Sequence, residues 1–301
     1  MSENFLTINN LTVIFGYGSV YALIATAMTV LFISGSFDLS IGTHLAFLGV
    51  FLGMLLGNNI PTYLAIVITI LLSIFNGFII GALVIKLKVD CFIVTLGSLL
   101  IFLGAAYLIG YGSSVAVTTY TGSFGNFPES FTRIASGKFF NIEYINFYMV
   151  LIVGLMHILL RNNIFFRQNY YIGGNRPAAR LAGVKVNVIM IFNFVLVSLM
   201  VGIATILRAS RVGSTSQSDG GQSLSLFIIA AVILGGASLK GGVGSIIGSI
   251  LGVFLLVIIN NGLVVLNLSP FYTDIIIGFI LLISVLLDEY KERLFIEKRF
   301  K

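Results

Sequence analysis

The chain has no tryptophan, one cysteine and two histidines, and only 9% of its residues are charged. Each shortage excludes something. With Cys91 alone, neither an intrachain disulfide nor a cysteine-held metal cluster can form within the chain. His44 and His157 lie far apart in sequence and read as packed helix residues rather than metal ligands. No carboxylate pair, Ser/His/Asp order, HExxH or Walker-type GxxxxGK(S/T) occurs, so no catalytic residue stands out and neither a cofactor nor a metal is expected. The Gly-rich GGASLKGGVGS (235–245) lacks the Lys-Ser/Thr ending of a phosphate cradle and is flanked by apolar runs. The first ten residues, MSENFLTINN, lack a basic n-region, so no cleavable signal peptide is read there. Without Trp, the interfacial belt of a membrane protein falls to Tyr and Phe.

What is present is apolar. Hydrophobic residues make up 58% of the 301 residues, and the mean hydropathy is +1.07. This composition belongs to polytopic membrane proteins, so the expected fold is an all-α transmembrane helical bundle forming one domain over residues 1–301. Nine apolar segments can be drawn, at about 11–33, 42–57, 62–85, 91–111, 146–161, 187–207, 224–236, 243–262 and 270–287. The segments at 42–57 and 224–236 fall short of the roughly 20 residues a full span needs. Short, Gly-interrupted segments predict broken or re-entrant helices, which membranes tolerate where the backbone is buried in protein.

The net charge of +6 is not a nucleic-acid signal, because its sources are where orientation charges belong. Lys86 and Lys88 follow the third segment, a basic island follows the fifth, and Lys291, Arg293, Lys298, Arg299 and Lys301 follow the ninth. One topology puts all three in the cytoplasm, with the N-terminus and the long connection Gly112–Asn146 outside. Arg208 and Arg211 fit that topology badly, falling at the outer end of the sixth segment.

The island, Tyr170–Lys185, carries its own helix signals. Asn175 can cap, Pro177 suits a first turn, and Gly183 offers a left-handed stop. Arg161, Arg167, Arg176, Arg180 and Lys185 surround it with no acidic residue between them. A helix of about seven residues cannot persist alone. It is expected to dock on a cytoplasmic surface, or else to be a basic loop that only fixes topology.

Two stretches echo each other. GSFDLSIGT (35–43) and GASLKGGVGS (236–245) each place a charge, Asp38 or Lys240, before an apolar-Gly-hydroxyl step. One apolar segment follows each, ending in Asn58-Asn59 and Asn260-Asn261. Corresponding Gly-broken segments in two halves point to a transporter's pathway. Asp38 with Ser40, Lys240, Thr95, Ser98, Asn260 and Asn261 are therefore candidates to line it, with Asn193 among further polar groups. Asp38 either caps its own helix or pairs with Lys240. Asp90 and Asp274, at segment ends, suit capping or solvation; Asp219 is a further ionisable candidate.

The run ISGSFDLSIG (33–42) resembles the SGGIDLSVGS signature of ribose-type sugar ABC transporter permeases. IVTLG (93–97), IGGNRPAARLAGV (172–184), IAAVILGGASLKGGVGSIIG (229–248) and INNGL (259–263) follow in that family's order, so the likeness covers nearly the whole chain. The resemblance implies a subunit of the bacterial inner membrane, embedded in lipid and translocating a small sugar by alternating access. It implies a second permease subunit, cytoplasmic ATP-binding-cassette ATPases that hydrolyse the ATP, and an extracytoplasmic substrate-binding protein. Residues 170–185 become the segment that couples to the ATPase, through Asn175, Arg176, Pro177, Arg180 and Gly183. Ribose or a related pentose or hexose is the expected cargo, with autoinducer-2-like furanosyl compounds or nucleosides as alternatives. A secondary transporter is the reading from another class; it would want carboxylates within spans, and few are present.

Three features depart from the family pattern. Members usually carry a further N-terminal span before the region where this chain begins. Ser225 and Phe227 stand in SLFIIAA (225–231) where an acidic ELDAIAA is usual. Arg176 stands where an acidic residue is common.

Overall fold

The computed structural model describes residues 5–112 and 123–268, together with 272, 275–280, 282, 283 and 286. Asp274 and the basic C-terminal tail from Lys291 to Lys301 lie outside the described residues, as does part of the ninth segment, of which 275–280 are helical. In chain order the elements are α1 (Ile8–Ile33), α2 (Ile41–Gly57), α3 (Thr62–Lys86), α4 (Cys91–Gly112), β1 (Ser123–Gly125), α5 (Glu129–Ser136), β2 (Lys138–Phe139) and β3 (Ile142–Glu143). Then come α6 (Tyr144–Asn162), α7 (Ile164–Gly174), α8 (Arg176–Leu181), α9 (Val186–Val212), β4 (Ser214–Ser216), α10 (Gly221–Leu234) and α11 (Ile246–Val265).

Among the described residues, six helices are long and apolar enough to cross a bilayer: α1, α3, α4, α6, α9 and α11. The two short segments expected from the sequence form α2, of 17 residues, and α10, of 14. The central pair is α1 and α9, buried along most of their length, while α3, α4, α6 and α11 turn large apolar side chains such as Leu71, Ile101, Leu151 and Leu251 outward. With apolar tails on the outside, burial of oily surface cannot hold such helices together, so close approach and hydrogen bonds must. At the α3–α9 crossing, Ser73 and Gly77 meet Ser198 and Gly202, and the Ser73 hydroxyl donates to the Ser198 carbonyl. Across α1 and α11, the Thr29 hydroxyl donates to Ser249 Oγ at 2.7 Å.

The ends of the long helices define two faces. On one, β1 pairs with β4, α5 packs on the end of α9, and the β2–β3 hairpin leads into α6. Ser210 fastens this cap. Its hydroxyl donates to the Phe131 carbonyl at 2.7 Å and accepts from the Ala135 N–H at 2.9 Å. The arginines that fitted badly by sequence are paired here. Arg211 Nε donates to Glu143 at 2.6 Å, and Arg208 forms a two-pronged pair with Asp219. They follow a local rule, partnership with a carboxylate, that a count of orientation charges does not see.

The other face is basic. It carries Lys86, Lys88, Arg161, Arg167, Arg176, Arg180 and Lys185 around α7, α8 and the loops at 34–40 and 236–245. The sequence reading had no counterpart of α7, whose first turn is capped by Asn163 accepting from the Phe165 N–H at 2.8 Å. Tyr170–Gly174, the front of the basic island, is the last turn of α7 rather than part of the short helix.

Candidate functional site

The short helix α8 forms where the local signals place it. Asn175 caps it through its side-chain oxygen, which accepts from the Ala178 N–H at 3.0 Å; Pro177 lies in the first turn; Gly183 follows with φ +82°. What holds six residues helical is the packing the sequence demanded. Ala179 is buried in a small cluster with Ile172, Val186, Ile189 and Met190, which pins α8 between α7 and the first turns of α9. The outer side stays bare: Pro177, Arg180 and Leu181 are exposed, Leu181 at 92%.

Arg176 turns the other way. Its guanidinium donates to the Gly35 carbonyl and to Ser36 Oγ, both at 3.3 Å, in the turn that follows α1. Burial lowers its pKa from the usual guanidinium value, and the charge of nearby Arg180 acts in the same direction. Beside it three stretches of backbone touch. The Gly242 N–H donates to the Ile33 carbonyl at 2.8 Å, and the Tyr170 hydroxyl donates to the Gly244 carbonyl at 3.0 Å. A Cβ at Gly173 would lie 1.9 Å from Ile33 O and 2.3 Å from Gly242 N, so only glycine fits. Gly241, at φ +88°, meets the backbone of both Gly35 and Gly173. The two echoed loops therefore pack against one another, with the end of α7 wedged between them.

From this junction the chain leads inward. Residues 34–40 run into the bundle to the start of α2. There the Asp38 carboxylate, 1% exposed, accepts from the Ser40 N–H at 2.8 Å and from the Ser40 hydroxyl at 2.6 Å. A negative charge at a helix N-terminus is favoured by the helix dipole. Asp38 belongs to none of the ion pairs among the described residues, so the proposed pairing with Lys240 is not formed. Lys240 instead lies exposed on the 236–245 loop. The reason lies in the path of the chain: the non-helical residues after α1 carry Asp38 into the buried interior, whereas Lys240 stays exposed at the surface junction.

The start of α2 meets the start of α10. The Gly42 N–H donates to Ser225 Oγ at 2.9 Å, and a Cβ on Gly42 would come within 1.9 Å of the Gly221 carbonyl oxygen. From that crossing α2 runs to the capped face and α10 to the basic face. Each is reached by a long helix followed by a non-helical stretch, α1 with 34–40 and α9 with 213–220. This second correspondence relates units that run in opposite directions, whereas the sequence echo joined loops that run the same way. Glycine and charge spacing cannot reveal it, since hydropathy has no direction. Ser225 sits where the family pattern has an acid, and here its hydroxyl supplies the acceptor that the first turn of α2 needs. Phe227 packs against Tyr21 with the rings tilted at 57°, centroids 5.0 Å apart.

The remaining candidates do not converge. Thr95 is buried in α4, its hydroxyl bonded to the Cys91 carbonyl at 2.8 Å, and Ser98 lies one turn on. Asn261 exchanges two 2.8 Å hydrogen bonds with Asn10 at the capped face, with Asn260 beside it, far from Asp38. Asn193 is buried and donates to Asn169 at 2.7 Å, fastening α9 to α7. Asp90 caps α4 through the Phe92 N–H at 2.8 Å. Sequence reasoning passed over His44 as a packed residue. It is buried within α2, stacked on Phe102 at 4.4 Å, with Nε2 3.1 Å from Asn76 Nδ2 and Nδ1 without a partner. Thr215 Oγ1 and Gln217 Oε1, in the extended stretch before α10, are likewise buried without partners.

The family whose model matches residues 10–285 is described as the branched-chain amino acid transport system / permease component. Among curated relatives, the autoinducer 2 import system permease protein LsrC of Photorhabdus luminescens is 33% identical over 300 residues, covering 99% of this chain and 87% of the relative. The ribose import permease protein RbsC of Escherichia coli (strain K12) is 33% identical over 292 residues, 97% of this chain and 89% of the relative. RbsC of Bacillus subtilis (strain 168) is 33% identical over 291 residues, with 97% and 88% covered. No solved structure matches. With an ordered helical bundle, two broken segments and a match running nearly end to end, the chain belongs to this permease family and stands within it among the ribose-type ABC importer permeases.

Proposed function

We propose that this chain is the membrane half of an ATP-driven importer for a small sugar, with ribose or a related pentose or hexose as cargo. It forms a single permease domain in a bacterial inner membrane and works as a dimer of such subunits. About nine segments embed it: the six long helices, the two short ones, and the segment at 270–287. The basic face is cytoplasmic, because Lys and Arg are retained on that side of membranes. A separate ATPase binds there, and an extracytoplasmic binding protein delivers cargo to the capped face.

One observation carries the reading. α8 presents a bare, cationic outer side, while Arg176 at its start ties it to the loop that leads into α2. Gly173, in the adjoining last turn of α7, meets both the end of α1 just before that loop and the loop that leads into α11. A push on α8 therefore reaches both loops, directly through the Arg176 side chain and, by way of α7, through contacts between backbones. Alternating access needs such a two-state element, biased by the partner. Asp38, Ser40, Thr95, Ser98, Lys240, Asn260 and Asn261 stay candidates for the pathway; the burial of Asp38 and Ser40 beside the α2–α10 crossing supports that reading for these two. A related cargo, an autoinducer-2-like furanosyl compound, is favoured to a similar degree by the 33% identity to LsrC.

The test is reconstitution with the cognate ATPase and binding protein in liposomes, followed by uptake of labelled ribose. Wild type should accumulate it only with ATP. Arg176→Glu with Arg180→Glu should abolish both ATPase association and uptake while leaving membrane insertion intact. Full association and uptake in that variant would remove α8 from the coupling route.

A further inference from the structure

A cavity of about 500 Å³ opens on the basic face between α6, α7 and the first turn of α11. Its walls include His157, Arg161, Arg167, Tyr170, Tyr171 and Ser245, and no acidic side chain. Neither Arg161 nor Arg167 takes part in an ion pair among the described residues. Its walls come from α6, α7 and α11 and not from α8, although Tyr170 and Tyr171 belong to the segment 170–185, so a test must tell a lipid site from part of the ATPase's footprint.

Two features mark it as an anion site of a particular kind. α11 begins at Ile246 on its edge, capped by Ser245, and the first amides of a helix have no acceptor within the helix. Two guanidiniums beside such a helix start give donors of the right geometry for a phosphate. The second feature is apolar. In the turns next to those that line the cavity, Leu155 and Ile158 of α6 and Ile247 and Leu251 of α11 are each more than half exposed on the bundle's outer surface. A soluble phosphate has no use for that flank, and neither has an acidic protein surface approaching from the cytoplasm. A molecule with an anionic head and two apolar tails matches both.

We propose that this cavity holds the phosphate of an anionic phospholipid, its acyl chains lying along α6 and α11. Basic pockets between membrane helices on the cytoplasmic side are suited to such headgroups. The position gives the lipid leverage, because Tyr170 in the cavity wall donates to Gly244 in the loop that meets α7. An occupied cavity would hold that loop against α7, so transport should depend on lipid charge as well as on ATP.

The experiment uses the full chain, purified in mild detergent and exchanged into nanodiscs of phosphatidylcholine with a minor fraction of phosphatidylglycerol. Bound phospholipid is measured by mass spectrometry after stripping the bulk lipid. Wild type should retain phosphatidylglycerol over phosphatidylcholine. Arg161→Ala with Arg167→Ala should lose that preference by roughly tenfold, since each basic residue near the headgroups contributes on the order of a few-fold. The Arg161→Lys, Arg167→Lys variant keeps the charge and guards against misfolding; it should keep part of the preference. Equal retention by wild type and the alanine variant would overturn the proposal. Displacement of the phosphatidylglycerol by excess inorganic phosphate would also overturn it, making this a small-anion site. So would unchanged lipid retention with lost ATPase association, which would place the cavity in the ATPase's footprint.

Discussion

Asp38 shows how far single residues could be read. By sequence it had two futures, a cap for its own helix or a partner for Lys240. In the fold it is buried and held by the Ser40 amide and hydroxyl. A carboxylate bound by two donors at a helix start draws its stabilisation from that geometry, and a distant Lys adds none. Asp38→Lys should therefore lose uptake, and adding Lys240→Asp should not restore it. Asp38→Asn, which keeps an acceptor oxygen, should retain more folded protein than Asp38→Lys, read by size-exclusion recovery in detergent. Rescue of uptake by the double swap would bring the pairing back. The residues read correctly were those with local jobs: Asn175, Pro177 and Gly183 act within four residues of themselves, and so does Asp90. Asn261 and Asn193 were not legible, because their partners, Asn10 and Asn169, are brought to them by the fold.

At the scale of elements, hydropathy foretold the long helices and the two short ones, since a run of apolar residues has one use in a membrane. It did not foretell α7, which mixes aromatic and basic residues and so lacks the contrast that marks a span. Nor did it foretell the crossing of α2 and α10, whose only sequence trace is a glycine in each. Backbone contact makes those glycines mechanical parts. At Gly173 an added methyl group would collide with the Ile33 carbonyl and the Gly242 amide, neither of which can step aside as a side chain would. Overpacking of this kind costs about 1–3 kcal/mol, and more where backbone must shift. Gly173→Ala should push the end of α7 away from the two loops. ATPase association, which the proposal assigns to the outer side of α8, should survive, while ATP-driven uptake falls by about tenfold or more. Parallel loss of association and uptake would mean that α8 itself had come loose. Unchanged uptake would mean that the junction transmits nothing.

For the whole molecule, everything functional rests on which face is which. Among the described residues, the basic face gathers seven Lys and Arg side chains around α7 and α8 against Asp90, whereas the capped face neutralises its arginines with Asp219, Glu143 and Glu129. That asymmetry is the physical ground for calling the basic face cytoplasmic. It predicts a pattern of chemical reactivity. Cys91 is the only native thiol, so Cys91→Ala gives a clean background. Lys138, exposed on β2 of the cap, and Leu181, exposed on α8, are single-cysteine sites on opposite faces. Lys138→Cys should react with a membrane-impermeant maleimide added to intact cells lacking an outer-membrane barrier. Leu181→Cys should react only in inverted vesicles. The second site carries more information, because a helix seated in an ATPase groove is covered. Labelling of Leu181→Cys should slow when the ATPase is co-expressed, and labelling of Lys138→Cys should not change. The inverse accessibility pattern would turn the molecule over and place the binding protein on the arginines. The expected sidedness without protection would keep the topology and remove α8 from the ATPase interface.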